Sequence, residues 1–156
     1  MNLEKNPNAN NLEEILDRLI SVCVDSEHRY RHAYLDVSRE RVSRFFEAKA
    51  EERKRMADEL EAMREQLGVH KREHGTLGGV LKRIEMEINV QMSMGDTGVV
   101  DWCRKEAEDV IEEYENALRQ NLPPLLDDVV KRQLAEIRRT VRSMDEELAR
   151  YGGPRS

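Results

Sequence analysis

Apolar residues recur at steps of three and four along four long stretches of the chain, and this periodicity constrains the fold more than any other feature. The first stretch carries Leu12, Leu16, Leu19 and Cys23 on one helical face. Such spacing is typical of amphipathic helices, because one turn of an α-helix takes 3.6 residues. The same pattern predicts four helices, over residues 11–36, 38–67, 98–120 and 125–150.

Glycine and proline mark the ends of these helices. Gly68 follows the second stretch, and Leu122-Pro123-Pro124 separates the last two. Glycine suits the left-handed conformation that closes a helix, and proline lacks the amide proton that a helix interior needs. The chain is predicted to consist of a disordered tail at 1–10, one domain at 11–151 and a C-terminal tail at 152–156.

The lengths of the connections predict the topology. Very short turns join the first helix to the second and the third to the fourth, so each pair should form an antiparallel hairpin. Between the hairpins, residues 77–94 carry Val80, Leu81 and Ile84 on one side of a further helical pattern. A helix of roughly 17 residues is about 25 Å long, which suits a crossover along a bundle. The predicted fold is therefore all-α: a ferritin-like four-helix bundle with an additional helix in the long crossover connection.

The two halves of the chain also resemble each other. A shift of 84 residues, without a gap, lays the first hairpin over the second. An internal duplication of this kind agrees with a bundle of pseudo-twofold symmetry. The identical pairs include Tyr30 and Tyr114, Ala33 and Ala117, Glu52 and Glu136, Arg55 and Arg139, and Gly68 and Gly152.

Charge and hydropathy bear on partners and location. The net charge is -6, and basic residues are interleaved with acidic ones, which disfavours nucleic acid as a partner. The sequence has no apolar run of membrane-spanning length and no signal-peptide core, so we expect no membrane partner and a cytoplasmic location.

Cys23 and Cys103 both lie on apolar stripes, which predicts buried reduced thiols. The alternative is a disulfide or a reactive thiol.

Several motifs spread over the chain match one known family. They are Asp25–Tyr30, Glu52–Leu60, Leu67-Gly68, Gly75–Leu81, Cys103–Tyr114 and Asn121–Gln133. Their sequence resembles a family of small bacterial ferritin-like proteins of unknown function. The glycine-rich start of the crossover and the Leu-Pro-Pro turn are the most specific matches. The resemblance covers residues 12–148 and implies the ferritin-like fold, but it implies no activity, because the family has none to carry over.

A di-iron site is the activity most often linked to this kind of bundle. It needs a carboxylate from each helix, and a histidine three residues after the glutamate on two of them. The candidate ligands for iron or manganese are Glu27, Glu52, Glu106 or Glu108, and Glu136.

The positions expected for histidine ligands speak against such a site. The repeat puts Glu52 and Glu136 at the histidine-bearing motifs, yet Arg55 and Arg139 follow them. An arginine stays protonated and offers a metal no lone pair. The four histidines, His28, His32, His70 and His74, lie on the first helix or in the loop after the second. We therefore expect no catalytic, cofactor or metal site, with an atypical iron or manganese site as the alternative.

The competing interpretation of these polar residues is a buried layer that fixes the register of the helices. Buried charges must be paired and hydrogen-bonded, so its members should bond to one another across the core. The predicted members of this layer are Tyr30, Glu52, Arg53, Tyr114, Gln133 and Glu136.

Three functional hypotheses follow from the sequence. The leading one is a non-enzymatic bundle, structural or stress-associated, that acts through self-association or a protein partner. A homodimer is expected, because Trp102 and the crossover can present apolar surface outside the bundle. The alternative is a di-iron or di-manganese oxidase or iron-handling protein with atypical ligands. The third is an adaptor that docks a partner helix. Hydrolase motifs such as Gly-x-Ser-x-Gly are missing from the sequence.

Overall fold

Four α-helices make up the part of the chain that a computed structural model describes, residues 7–70 and 95–151, with side chains from 11. They are α1 (Pro7–Asp36), α2 (Glu40–Leu67), α3 (Gly95–Leu118) and α4 (Pro124–Arg150). These ranges contain no strand, so the predicted all-helical fold with four long helices is confirmed. The predicted crossover helix at 77–94 and the tails at 1–6 and 152–156 lie outside the described residues.

The start of α1 corrects one prediction. Residues 7–10 are helical and continue directly into α1, so they do not belong to a tail. Proline fits the first turn of a helix, because its fixed φ is already helical and no amide proton is needed there. Pro7 therefore starts the helix that the sequence pattern predicts from Asn11.

The helix ends follow the local chemistry. Gly68 closes α2 in the left-handed conformation, at φ 67°, and its amide donates back to the last turn. The amide of Val69 reaches the carbonyl of Arg64 at 3.0 Å, which satisfies another carbonyl that the helix end leaves open. Pro124 opens α4 at a first-turn position, where a missing amide proton costs nothing.

Neighbouring helices run antiparallel around a square. α1 packs against α2 and α3, and α4 packs against the same two helices from the opposite corner. Along α1 and α3, Asn11 pairs with Gln120, and Arg29 with Glu106. Residue numbers that rise along α1 therefore fall along the adjacent α3, so these two helices are antiparallel. The contacts between α2 and α4 show the same inverse order. We call the end where α1 begins and α2 finishes the near end, and the end where α3 begins the far end.

The core consists of two apolar clusters stacked along the bundle axis. The near-end cluster includes Leu16, Leu60 and Leu126, and the far-end cluster includes Phe46 and Met144, with Tyr30 at its inner boundary. Between them lie the buried polar residues Arg53 and Thr140, which are hydrogen-bonded to each other. The apolar interior is thus divided by a polar layer.

The internal sequence repeat is accompanied by a matching pattern of buried positions in the two hairpins. Fourteen pairs of positions that lie 84 residues apart are buried in both halves. Burial reflects where a side chain points, so the two hairpins present the same helical faces to the core. The pairs are 16/100, 19/103, 23/107, 26/110, 30/114, 33/117, 42/126, 46/130, 50/134, 53/137, 56/140, 60/144, 63/147 and 64/148.

The first turn of α2 is capped by a residue from the other hairpin. Arg39 at the N-cap position makes no side-chain capping bond. Instead the carboxylate of Asp96, at the start of α3, accepts the amide protons of Ser38 at 2.8 Å and Arg39 at 2.9 Å. A carboxylate at a helix N-terminus satisfies open amides and opposes the helix dipole. The far end of the bundle is therefore held by a cap that exists only when the hairpins are docked.

We expect Asp96→Ala to lower the free energy of unfolding by about 1 kcal/mol, the usual cost of losing a capping side chain. Urea denaturation followed by helical circular dichroism measures this change. Glu112→Ala, an exposed carboxylate on the same helix, is the control and should leave stability within about 0.5 kcal/mol of the parent. Equal stability of the two variants would contradict a capping role for Asp96.

Candidate functional site

The candidate site is the polar layer, and its centre is a buried guanidinium. Arg53 on α2 is only 1% exposed. Its Nη1 donates to Glu52 Oε1 at 2.9 Å, and its Nη2 donates to Thr140 Oγ1 on α4 at 3.3 Å. The guanidinium carbon lies 5.6 Å from the ring centre of Tyr30 on α1, within cation–π range. One positive charge thus ties three helices together in the middle of the core.

A chain of hydrogen bonds crosses all four helices beside this charge. The Tyr114 hydroxyl donates to Gln133 Oε1 at 2.7 Å and lies 3.0 Å from Cys23 Sγ. Because that hydroxyl has one proton, the Cys23 thiol is the donor in its bond to Tyr114. Gln133 Nε2 then donates to the Met56 carbonyl at 3.2 Å and to Glu59 Oε1 at 2.8 Å.

The hydrogen-bond chain ends at a carboxylate at the surface, that of Glu59. Partial burial raises the pKa of Glu59, but hydrogen bonds from Arg132 and Gln133 outweigh it and the pKa is lowered overall. Glu59 is therefore ionised at neutral pH and accepts from both side chains. Every bond in the chain has one clear direction, from the Cys23 thiol to Glu59.

A second buried guanidinium lies between α1 and α3. Arg29 is 2% exposed and donates to Asp25 at 3.0 Å. It also lies 3.3 Å from Glu106 and 5.2 Å above the ring of Trp102. Two carboxylates and an aromatic face compensate the charge of Arg29, so it is held as a structural group.

The structure brings four of the six predicted layer residues into the interior. Tyr30, Arg53, Tyr114 and Gln133 are at most 2% exposed. The side chains of Glu52 and Glu136 are 17% and 27% exposed and lie at the edge of the bundle.

Three further members escaped the sequence analysis. Thr140 corresponds to Met56 under the 84-residue shift, and Met56 lies on the apolar face of α2. That correspondence could have predicted that Thr140 is buried. Arg29 and Asp25 fall on the polar side of α1, where periodicity predicts solvent.

The four candidate metal ligands do not form a ligand set. Glu27 pairs with Arg31 at 2.9 Å, and Glu106 pairs with Arg29. Glu136 lies 3.9 Å from Arg132, and Glu52 is held by both Lys49 and Arg53. In the described ranges, no three histidine, cysteine, aspartate or glutamate side chains group closely enough to hold a metal ion. The positive charge of Arg53 lies where a pair of metal ions would need negatively charged ligands. These residues therefore do not fit a di-metal centre.

The basic residues at the expected histidine positions point elsewhere. Arg55 and Arg139 are both exposed, so their charges lie outside the core. The inward position on α2 is Arg53, because two residues along a helix turn a side chain by about 200°. His28 and His32 are half-buried on α1, His70 is exposed, and His74 lies outside the described residues.

The thiols offer no nucleophile. Cys23 and Cys103 are buried and free, as the sequence predicts. Burial raises the pKa of the Cys23 thiol to about 11 and that of Cys103 to about 12. Both are protonated at neutral pH, and the thiolate is the reactive form.

The chain belongs to a protein family described as a domain of unknown function (DUF2383), whose model matches residues 11–120. This confirms the predicted membership in a family of unknown function. The match covers α1 from Asn11, α2 and α3, and it ends before α4. No curated protein and no solved structure matches the chain. No described helix is both long and apolar enough to cross a membrane.

The hydrogen-bond chain predicts a specific non-additivity. Gln133→Leu should lower the free energy of unfolding by about 1–3 kcal/mol, because it leaves the Tyr114 hydroxyl proton without its acceptor in the core. Adding Tyr114→Phe removes that stranded group. The double variant should therefore lose less stability than the two single variants together, as measured by urea denaturation.

Glu112→Ala provides the control for this cycle, because the Glu112 side chain is exposed. Its effect should add to that of Gln133→Leu within about 0.5 kcal/mol. Additive effects of Gln133→Leu and Tyr114→Phe would instead mean that the two side chains are not energetically coupled.

Proposed function

We propose that this protein is a non-enzymatic helical bundle, structural or stress-associated, that acts through association with copies of itself or with a partner. The observation that carries the proposal is the paired Arg53 charge in the middle of the core. A guanidinium there opposes metal binding and presents no reactive group to a substrate. The nearby thiols and tyrosines have raised pKa values and are protonated, since burial disfavours their charged forms.

The proposal includes a ferritin-like connectivity. In its favour, α2 finishes at the near end, beside Asp17 of α1, whereas α3 begins at the far end, beside Ser38. The chain between them has to pass from one end of the bundle to the other. The matching burial in the two halves supports the pseudo-twofold symmetry of that arrangement. The additional helix at 77–94 is part of the proposal.

For self-association we propose the surface at the end of α1. Trp102 is half-buried beneath Arg29, which argues against its serving as the exposed anchor predicted from the sequence. Leu35, by contrast, is 75% exposed, and its neighbour Tyr34 is 38% exposed. An exposed aliphatic beside an exposed aromatic makes a small apolar patch of the kind that a homodimer covers.

We place the protein in the cytoplasm of a bacterial cell. The free thiols of Cys23 and Cys103 agree with a reducing compartment.

The alternative function is a di-iron or di-manganese oxidase, or an iron-handling protein. It would require Glu27, Glu52, Glu106 and Glu136 to exchange their present cationic partners for metal ions. The presence of Arg53 among them makes that exchange unfavourable, because two like charges would then share a low-dielectric interior.

Metal titration separates the two functions. The chelator-stripped protein, mixed with ferrous iron without oxygen or with manganese and then desalted, should retain far fewer than the about two ions per chain of a di-metal site. Elemental analysis gives the ratio. Retention of about two ions per chain, lost in Glu52→Gln but not in Glu112→Gln, an exposed glutamate outside the candidate set, would establish the alternative.

Mass in solution tests association. Sedimentation velocity should give a particle of about twice the 18.2 kDa chain at micromolar concentration. Leu35→Asp should return it to a monomer, because a charge would then be buried in the contact. Leu125→Asp, at the opposite end and 56% exposed in the parent, is the matched control and should stay dimeric. A parent protein that is monomeric throughout would count against self-association.

A further inference from the structure

A cleft opens between α1 and α3 at the near end of the bundle. Its volume is about 210 Å³. A cavity of roughly 150 Å³ is large enough to hold benzene, so this cleft has room for a small organic molecule. Neither the hydrogen-bond chain of the polar layer nor the proposed self-association surface at Leu35 uses it.

The lining of the cleft combines an apolar floor with charged walls. Leu19 and Ala117 are buried in the core beneath the cleft, and Ile15 is half-buried beside them. Glu14 lines the α1 wall, and Glu113 lines the α3 wall. Sites for small molecules usually have this form, an apolar surface with a few polar groups that fix the orientation of the ligand.

Glu113 is the wall residue whose own partners satisfy it least. Its Oε2 is buried and accepts no hydrogen bond from the described part of the chain. Arg18 is its ion-pair partner, but the 3.6 Å between Nη1 and Oε2 is longer than a hydrogen bond. The Arg18 side chain is also 69% exposed, and such a pair contributes little. A ligand that brings a charged hydrogen-bond donor can therefore replace Arg18 at Glu113.

The two carboxylates are offset along the bundle axis by one helical turn. Arg18 on α1 reaches Glu113 on α3, so these two residues lie at the same level. Glu14 precedes Arg18 by four residues, which places it about 6 Å closer to the near end. In an extended molecule of 1,4-diaminobutane, four methylene groups hold the two ammonium nitrogens at a similar separation.

We propose that the cleft between α1 and α3 is a binding site for a linear aliphatic diamine such as 1,4-diaminobutane. One ammonium group pairs with Glu14 and the other with Glu113, while the methylene groups between them cover the apolar floor. Arg18 turns to solvent when the ligand takes its place. Two carboxylates against one guanidinium leave the cleft with a net negative charge, which favours a cation over an anion or a neutral molecule.

This inference goes beyond the proposed function and does not depend on it. The cleft lies at the near end, whereas Leu35 ends α1 at the far end. A chain that binds no diamine could still associate, and a monomeric chain could still bind one.

Isothermal titration calorimetry of the full chain with 1,4-diaminobutane tests the site. We expect saturable binding of one molecule per chain with a Kd of about 1 mM or below, which is within reach of a ligand with six non-hydrogen atoms. Butylamine keeps the same methylene stem but has one ammonium group. It should bind at least about tenfold more weakly at the same ionic strength, because it leaves one carboxylate without its charged partner.

Glu113→Gln should weaken the binding of 1,4-diaminobutane at least about tenfold, because an amide oxygen is a weaker acceptor for an ammonium group than a carboxylate is. Glu112→Gln is the matched control. It removes the same charge from the next residue of α3, which is exposed and does not line the cleft. Its Kd should stay within about twofold of the parent value, since an exposed charge outside the site is screened. Far-ultraviolet circular dichroism verifies that both variants keep the helical content of the parent.

Three results would overturn the proposal. The first is a parent protein that shows no saturable binding of the diamine. The second is an equal loss of affinity in Glu113→Gln and Glu112→Gln, which would mean general attraction of cations to an acidic surface. The third is equal affinity of the parent for 1,4-diaminobutane and butylamine, which would assign the cleft to a single ammonium group such as a lysine side chain of another protein. This last comparison needs no variant, so it decides the question even if Glu113→Gln fails to fold.

Discussion

The burial of a positive charge in the middle of the bundle is the constraint on which the rest of the structure depends. Removing a guanidinium from water is costly unless carboxylates and hydrogen-bond acceptors replace the water. Arg53 donates to Glu52 and Thr140 and lies against the face of Tyr30. Its Nε, however, has no hydrogen-bond partner in the described part of the chain. A group that is compensated only at one position along the helices resists sliding, so we expect the charge to favour one register of α1, α2 and α4 at some expense of stability.

The same layer breaks the symmetry of the two halves. Under the 84-residue shift Arg53 corresponds to Ile137, and Met56 corresponds to Thr140. Each hairpin therefore carries a polar residue where the other carries an apolar one, and the two fit together as unlike halves. A duplicated hairpin that kept identical cores would be able to pair with a copy of itself; this chain is specified to pair its first half with its second.

Periodicity was enough to predict the helices, because each buries one continuous stripe against the same core. It was also enough to bring Tyr30, Tyr114 and Gln133 to the interior. It failed at Glu52, since a neighbouring residue lies 100° away and Arg53 is the inward one. It failed again at Asp25 and Arg29, because a pattern read from one helix cannot reveal that Glu106 and Trp102 of the neighbouring α3 lie against this pair. Periodicity also could not predict the cap from Asp96, because the two donor amides are 58 and 57 residues away from it in the sequence.

That long-range cap has a consequence for how the molecule assembles. Each hairpin is built from local contacts and can form early, whereas contacts between hairpins must first overcome the entropy of closing a long loop. Until Asp96 arrives, the amides at the start of α2 are left to water, and the first turn of that helix should fray. The arrival of the second hairpin thus completes the first, and folding is cooperative across a chain whose two halves look, at first sight, self-sufficient.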